Sequence, residues 1–541
     1  MSLLRTLVFL LALGACKGTP APPPPPSPIA ASDAARAKPA RNSGVRHDRR
    51  IELLSIIWRL AGAEEYTRAK GTPYLDAVDR TFTPFAKHPA VTMARALRRS
   101  RGIGFDAPML FAIQLDDQLA LTNVGELPAL DARWTIENAE ELAKVVRAFA
   151  TEAGLDAFLA QHIDYHASLV RTLQGVIDTE NPVAWFDTKF GAAQATFVVV
   201  PSPIAGQMNF GPRATALDGT QQFYQVIGVG SRTGEIVADD QLVYLLVHEM
   251  AHSYINPVFA KHRAALEPAG AKLFALVEKP MRAQNYIDPM TVLNESAVRA
   301  VTVNYMRDRR NEVAAAAVLR GELRNSFYWV RGLAELFRTL SAAGASKLDG
   351  DMPQLIAFFE RAATRYAAGL PALPFLGPVD TVHHGDPVWV VPGGDAYSYA
   401  RAIHRKLRPN GTLVEPSSAT LREHRGRDLV AVGTPADNPV IATVIAKAGW
   451  KVGADAISLG ARSFTGKGLV LIACWPLPGD PAYGVAIYTA LDAADLSGIN
   501  GGVRHGSNDW MVARKQGAGY TVLGTGDFPR AADEAWKLPG D

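Results

Sequence analysis

The sequence predicts an α+β protein: a mainly helical domain carrying a small sheet, followed by an α/β domain of the doubly wound kind. Three observations predict it. Apolar residues recur three and four apart through much of residues 46–370, the spacing of amphipathic helices. Two short runs rich in β-branched and aromatic residues interrupt them. Beyond Pro371–Pro374, short apolar strands alternate with helical segments.

The N-terminus stands apart from that architecture. Arg5 and the apolar run Leu7–Leu13 form a segment far shorter than the roughly 20 residues of a membrane-spanning helix, so residues 1–16 read as a signal peptide. The run closes on Leu13, Gly14, Ala15 and Cys16, which resembles the bacterial lipobox, whose cysteine is lipidated on sulfur and becomes the new N-terminus. Cys16 is therefore the expected lipidation site, each buried acyl methylene contributing about 0.8 kcal/mol to a membrane anchor. Lys17 follows, rather than the Asp that resembles an inner-membrane retention signal; the expected location is the cell envelope, lipid-anchored at the outer membrane, periplasmic or surface-exposed. Residues 17–45 read as an extended tether, because Pro20–Pro28 is rich in residues without backbone donors and the stretch after it has little apolar surface. The folded protein begins near Arg46.

Composition removes several classes of partner. A net charge of +3 over 541 residues leaves no basic footprint for nucleic acid, and no later apolar run reaches membrane-spanning length. With Cys16 lipidated only Cys474 remains, so an intramolecular disulfide is impossible and packing must supply stability. Cys474 closes the apolar run Leu469–Cys474 and reads as a buried strand thiol.

Within residues 46–370, Ile51–Leu60 and Ala139–Phe149 have the apolar period of core helices, and Ala195–Val200 and Phe223–Val229 read as strands. Immediately after those strands lies Asp239–Pro257, a nearly all-round apolar segment with an acidic cap at its start and Pro257 expected to stop it. It contains His248, Glu249, Met250, Ala251 and His252. At 3.6 residues per turn the two histidines share one face, about 5–6 Å apart at Cβ, close enough for both imidazoles to bind one zinc ion. Glu249 falls off that axis, free to accept a proton from water polarised by the metal. His162 and His166 have the same spacing without the acid or the apolar frame, and read as surface or core histidines.

A catalytic zinc site takes three protein ligands and leaves one position open. Downstream, Met290–Tyr305 is a second mostly apolar helix whose buried side is broken by Glu295. The pair Asn294, Glu295 resembles the gluzincin metallopeptidases, in which that Glu is the third zinc ligand. For the same residue, an i+4 pair with Arg299 on an exposed face stands as the alternative. More broadly, Arg46 to Tyr305 resembles a bacterial family of unknown function, DUF4932, of gluzincin-like proteins. The likeness rests on Glu52–Ile56 with Leu60 and Ala61, His88–Val91, the extended His248–Pro257 motif, and Glu295 with Val298, Arg299 and Ala300. It implies a zinc metallopeptidase with His248, His252 and Glu295 as ligands and Glu249 as general base, acting on a peptide or protein substrate. Thermolysin-like enzymes carry Asp four residues after the ligand Glu to orient a zinc histidine; here Arg299 stands there and cannot accept that hydrogen bond. Tyr254, Arg299 and Tyr305 are near in sequence, but each reads as structural before catalytic and no oxyanion donor is assigned; the strand Phe223–Val229 could offer its edge to an extended peptide. The other class left open is a lipid-anchored binding protein with a purely structural zinc site.

The domain expected over residues 375–541 has strands at Val388–Val391, Asp428–Val432, Gly468–Cys474 and Gly484–Tyr488, with helices such as Tyr397–Lys406 and Pro439–Ala448. The strand, loop and helix around Gly433–Pro439 resemble a Rossmann-like, doubly wound arrangement, and the domain resembles accessory α/β domains of secreted bacterial hydrolases. Gly460 to Gly468 departs from a phosphate-binding loop in spacing and lacks the following Ser or Thr, and no nucleophile elbow accompanies His505 and Asp509.

Overall fold

A computed structural model describes residues 44–537, apart from 123–129, 131, 192–194, 207, 216–220, 232, 343–346, 500–507 and 532–535. Cys16, the signal segment, nearly all of the tether and His505 therefore lie outside the described residues. What is described is mixed helix and sheet, in two compact units, one ending at Gly369 and the other beginning at Leu370.

The first unit starts with a two-residue strand, Gly44–Val45, and the helix Arg49–Leu60, whose Asp48 side chain accepts from the free amides of Arg50 and Ile51. Nearly the whole helix is buried, Trp58 included. The predicted segment Ala139–Phe149 lies within the helix Ile136–Glu152, entered through a reciprocal cap between Thr135 and Asn138. The sheet runs in the order Gly44–Val45, Ala195–Ser202, Gln221–Gly228, these three parallel, with Asn209–Phe210 and Arg213–Thr215 both antiparallel to the last. Val200 and Val226 face the core of the early helices, while Val199 and Ile227 pack against Leu242 and Leu246. Burial on both faces explains why the two long strands read as almost unbroken apolar runs.

The histidine helix spans Asp240–Lys261, with Asp239 accepting from the Leu242 amide. Pro257 does not stop it, contrary to expectation. One intrahelical hydrogen bond is lost there, and the last turn is retained because it buries Phe259 against Phe359. The glutamate helix, Pro289–Arg309, is capped by Asp288 and packs against the histidine helix and the helices Arg263–Ala283, Glu312–Arg324 and Val330–Ala342. Being surrounded, it is buried through Met290–Met306 at all but a few positions.

The second unit holds a seven-stranded sheet with a separate core on each face. Val388 and Val390 face one core and Trp389 and Val391 the other, the period-2 alternation of a sheet covered on both sides. Leu413–Val414, Val388–Val390, Leu429–Val432 and Asp480–Ala490 are parallel neighbours. The remaining strands, Leu469–Leu477, Trp510–Gln516 and Gly519–Gly526, are antiparallel, so only half of the sheet has the arrangement of a doubly wound fold. The departure comes from tight turns at Pro478–Gly479 and Gly517–Ala518, which return the chain directly and leave no room for a crossover helix. Gly433–Asn438 does join a parallel strand to the helix Pro439–Lys447, with Asn438 as its cap. Gly460, at φ 63°, is instead the turn of a small hairpin between Ala456–Leu459 and Arg462–Thr465. Cys474 is fully buried on its strand, with burial pushing its thiol well up.

Candidate metal centre

The two histidines project from the histidine helix one turn apart, their rings 5.1 Å between centroids. The glutamate helix packs against that face and brings in Glu295. His248 Nε2 lies 3.6 Å from Glu295 Oε2, and His252 Nε2 lies 3.5 Å from Glu295 Oε1. These separations are too long for hydrogen bonds. They suit a shared ion, since ligands held 2.0–2.2 Å from zinc at tetrahedral angles stand roughly 3.3–3.6 Å apart. One ligand atom from each of the three residues lies within 4.8 Å of the others, a group that could hold a metal ion.

Both nitrogens of His248 and Nε2 of His252 are buried with no hydrogen-bond partner. Buried polar atoms are rarely left so, and a cation between the two Nε2 atoms would satisfy both of these. Burial holds His248 well below the ordinary histidine range, helped by His252 and Arg299, and holds His252 down to about 3, helped by Arg213. Neutral imidazoles are the form that binds metal. Burial pushes the Glu249 carboxyl up to about 8, with Glu295 adding to it, and pushes Glu295 up to about 7 despite the opposing Arg299. Burial, rather than a want of nearby cations, is what holds both acids up, and a bound cation would draw them back to their ionised form.

Glu249 lines a cavity of about 700 Å³, counting its open mouth, together with His252, Glu295, Arg213, Asn256 and Asn294. The segment between the two short antiparallel strands passes directly over it. A Cβ on Gly211 would stand 3.3 Å from Glu249 Oε2, so the backbone reaches the acid at a distance that a side chain would crowd. The strand Gln221–Gly228, expected to offer an edge to substrate, has none to offer. It is flanked by Ala195–Ser202 on one side and by Asn209–Phe210 and Arg213–Thr215 on the other.

Around the three residues, Asn256 stands one turn beyond His252, its Oδ1 3.3 Å from His252 Nδ1. Arg299 is not exposed, as the i+4 surface-pair alternative required. It is buried, paired with Glu322 and 3.4 Å from Glu295 Oε2, and it donates to the Tyr286 hydroxyl at 3.0 Å. Tyr244 donates to the other oxygen of Glu322 at 2.7 Å. Arg299 thus stands behind Glu295, and its charge is absorbed by a second acid. Glu322 and Tyr286 escape a sequence reading; the one signal is an acid set between Leu319 and Leu323 on the apolar side of a helix. Asn256 and Arg213 escaped it too, although Asn256 lies at i+4 from His252.

Other sequence candidates are engaged elsewhere. Tyr254 donates to Asp187 at 2.8 Å and Tyr305 to Glu180 at 3.1 Å, so neither hydroxyl is aimed at the cavity. His166 is a core residue, 3.2 Å from the Tyr74 hydroxyl, and His162 is half-buried. Asp509 accepts from the Phe528 amide and from Arg530, an internal brace.

No curated protein and no solved structure matches the chain. Residues 45–342, more than half of the sequence and the stretch holding every residue of the candidate centre, match the family described as a domain of unknown function, DUF4932, and the chain belongs to that family.

Proposed function

We propose that this protein is a zinc-dependent peptidase of the gluzincin type, lipid-anchored through Cys16 in the bacterial envelope, which hydrolyses peptide bonds with Glu249 as general base. The observation that carries this reading is Glu249 itself, an acid outside the ligand set that lines the same cavity as two of the ligands. A structural zinc site is closed by a fourth protein ligand, and among the described residues the group has three.

His248, His252 and Glu295 would hold the ion, which when bound supplies Lewis acidity toward a carbonyl and a water. Glu249 removes a proton from the attacking water as its oxygen bonds to the scissile carbonyl carbon. It then delivers that proton to the amide nitrogen as the carbon–nitrogen bond breaks. Asn256 holds the His252 ring, and Arg299 with Tyr286 holds Glu295, so the ligand geometry is set before substrate arrives.

The test is Glu249→Gln in the full chain, assayed on a proteome-derived peptide library with zinc measured in parallel. Zinc content should match the wild type while cleavage falls roughly 10²–10⁴-fold, the share that general-base catalysis contributes. Unchanged turnover, or equal zinc in wild type and His248→Ala, refutes the assignment.

A further inference from the structure

Arg213 stands on the short strand Arg213–Thr215, directly across from Phe223 on the neighbouring strand. Its guanidinium carbon lies 4.9 Å from the Phe223 ring centroid. That stacking holds a planar cation against the wall of the cavity that also carries Glu249 and His252, and its charge is felt at both. Among the described residues no hydrogen bond or ion pair engages the guanidinium. The contrast with Arg299 is direct, since that cation is buried behind the ligands and committed to Glu322 and Glu295. On the peptidase reading, Glu295 would be committed to the metal and Glu249 to proton transfer. Arg213 is then a half-buried cation without an ion-pair partner among the described residues, lying over Phe223 beside the candidate centre.

We propose that Arg213 binds a carboxylate of the substrate, so that the cavity selects peptides presenting an anionic group close to the scissile bond; this rests on the peptidase reading. The guanidinium fork matches a carboxylate through two parallel hydrogen bonds, and the stack on Phe223 leaves its N–H edges free to make them. The carboxylate has two possible sources with one chemistry: the C-terminus of a short peptide, or an Asp or Glu side chain within a longer one. Arg213 touches substrate in this role without entering the proton transfer.

The test uses the zinc-loaded full chain carrying Glu249→Gln, where binding is read without turnover, and N-acetylated pentapeptides titrated by calorimetry. One pair of peptides differs only in a free C-terminal carboxylate against its amide. The other pair is amidated throughout and differs only in a central Glu against Gln. In one pair the carboxylate peptide should bind roughly 10- to 100-fold more tightly, the range of a charge-assisted hydrogen bond, and the discriminating pair names the source. Arg213→Met keeps a stem over Phe223 and should erase the preference with zinc content unchanged; Arg213→Lys, charge kept and fork lost, should retain part of it. Equal affinities within both pairs, no measurable binding of either carboxylate peptide, or a preference that survives Arg213→Met overturns the proposal. Failure to take up zinc counts against the peptidase reading instead, and the same pairs titrated against the chelator-treated wild-type chain still decide what Arg213 binds.

Discussion

Glu52 is buried on the helix Arg49–Leu60 and accepts a hydrogen bond from the Tyr74 hydroxyl at 2.6 Å. The Tyr74 oxygen lies 3.2 Å from His166 Nε2, and the His166 ring is 4.0 Å from that of His47. Burial pushes the Glu52 carboxyl up from 4.5 to about 7, the Tyr74 bond pulling the other way. The folded protein therefore keeps a proton on Glu52 over a range where the unfolded chain has released it. The contribution to stability is fully present below pH 4.5 and is lost as pH rises through 7. Over that window the loss is about 3 kcal/mol, at 1.36 kcal/mol for each unit of difference. His166, held down to about 3 by burial with His47 and His162 adding to it, has the opposite sign. Its contribution is present above pH 6.5 and lost as pH falls toward 3. The wild-type profile is a sum of opposed slopes, so the informative quantity is the difference between wild type and Glu52→Gln, in which only the Glu52 slope survives. Gln keeps an acceptor for Tyr74, and any offset from its extra amide donors is independent of pH. Urea unfolding of both chains between pH 4.5 and 8 should show the Gln variant gaining about 3 kcal/mol relative to wild type as pH rises. A pH-independent difference would mean that Glu52 ionises in the folded protein as it does in the open chain, and would refute the reasoning.

Arg299→Met leaves Glu322 and Glu295 buried without their shared cation and should cost about 3–5 kcal/mol in denaturant unfolding, most of it recovered by adding Glu322→Gln. Equal stability of single and double variants would show that the Arg299–Glu322 pair is not what the substitution broke. Cys16→Ser should move the protein from membranes to the soluble fraction, since no helix among the described residues is long and apolar enough to cross a membrane. Continued need for detergent would refute the anchor. Residues 44–369 and 370–541, expressed apart, should each fold, because each compact unit encloses its own buried clusters, and the first should take up one zinc. A first half that is insoluble or metal-free unless the second is present would refute this.

Local chemistry was legible in the sequence. The pair His248 and His252 with Glu249 between them, the cap at Asp239 and the apolar frame all follow from helical period, because side chains three and four apart share a face whatever surrounds the helix. The buried strand holding Cys474 was legible for the same reason, its neighbours in the chain being also its neighbours in the core. Helical period marked Glu295 only as a buried acid and a family resemblance named it as the third ligand; its meeting with the histidines is the work of the tertiary structure. Glu295 reaches the histidines because the glutamate helix packs on theirs, and a pattern of apolar residues says that a face is covered without saying by what. Strand order is likewise absent from periodicity, so the loss of a free edge on Gln221–Gly228 and the antiparallel half of the second sheet emerged only with the fold. Pro257 within a helix, Arg299 turned inward onto Glu322, and Arg213 stacked over Phe223 in the cavity wall each depend on contacts between residues distant in the chain. A side chain's role at such positions is set by the partner that burial forces on it, and that partner is chosen by the packing of the whole domain.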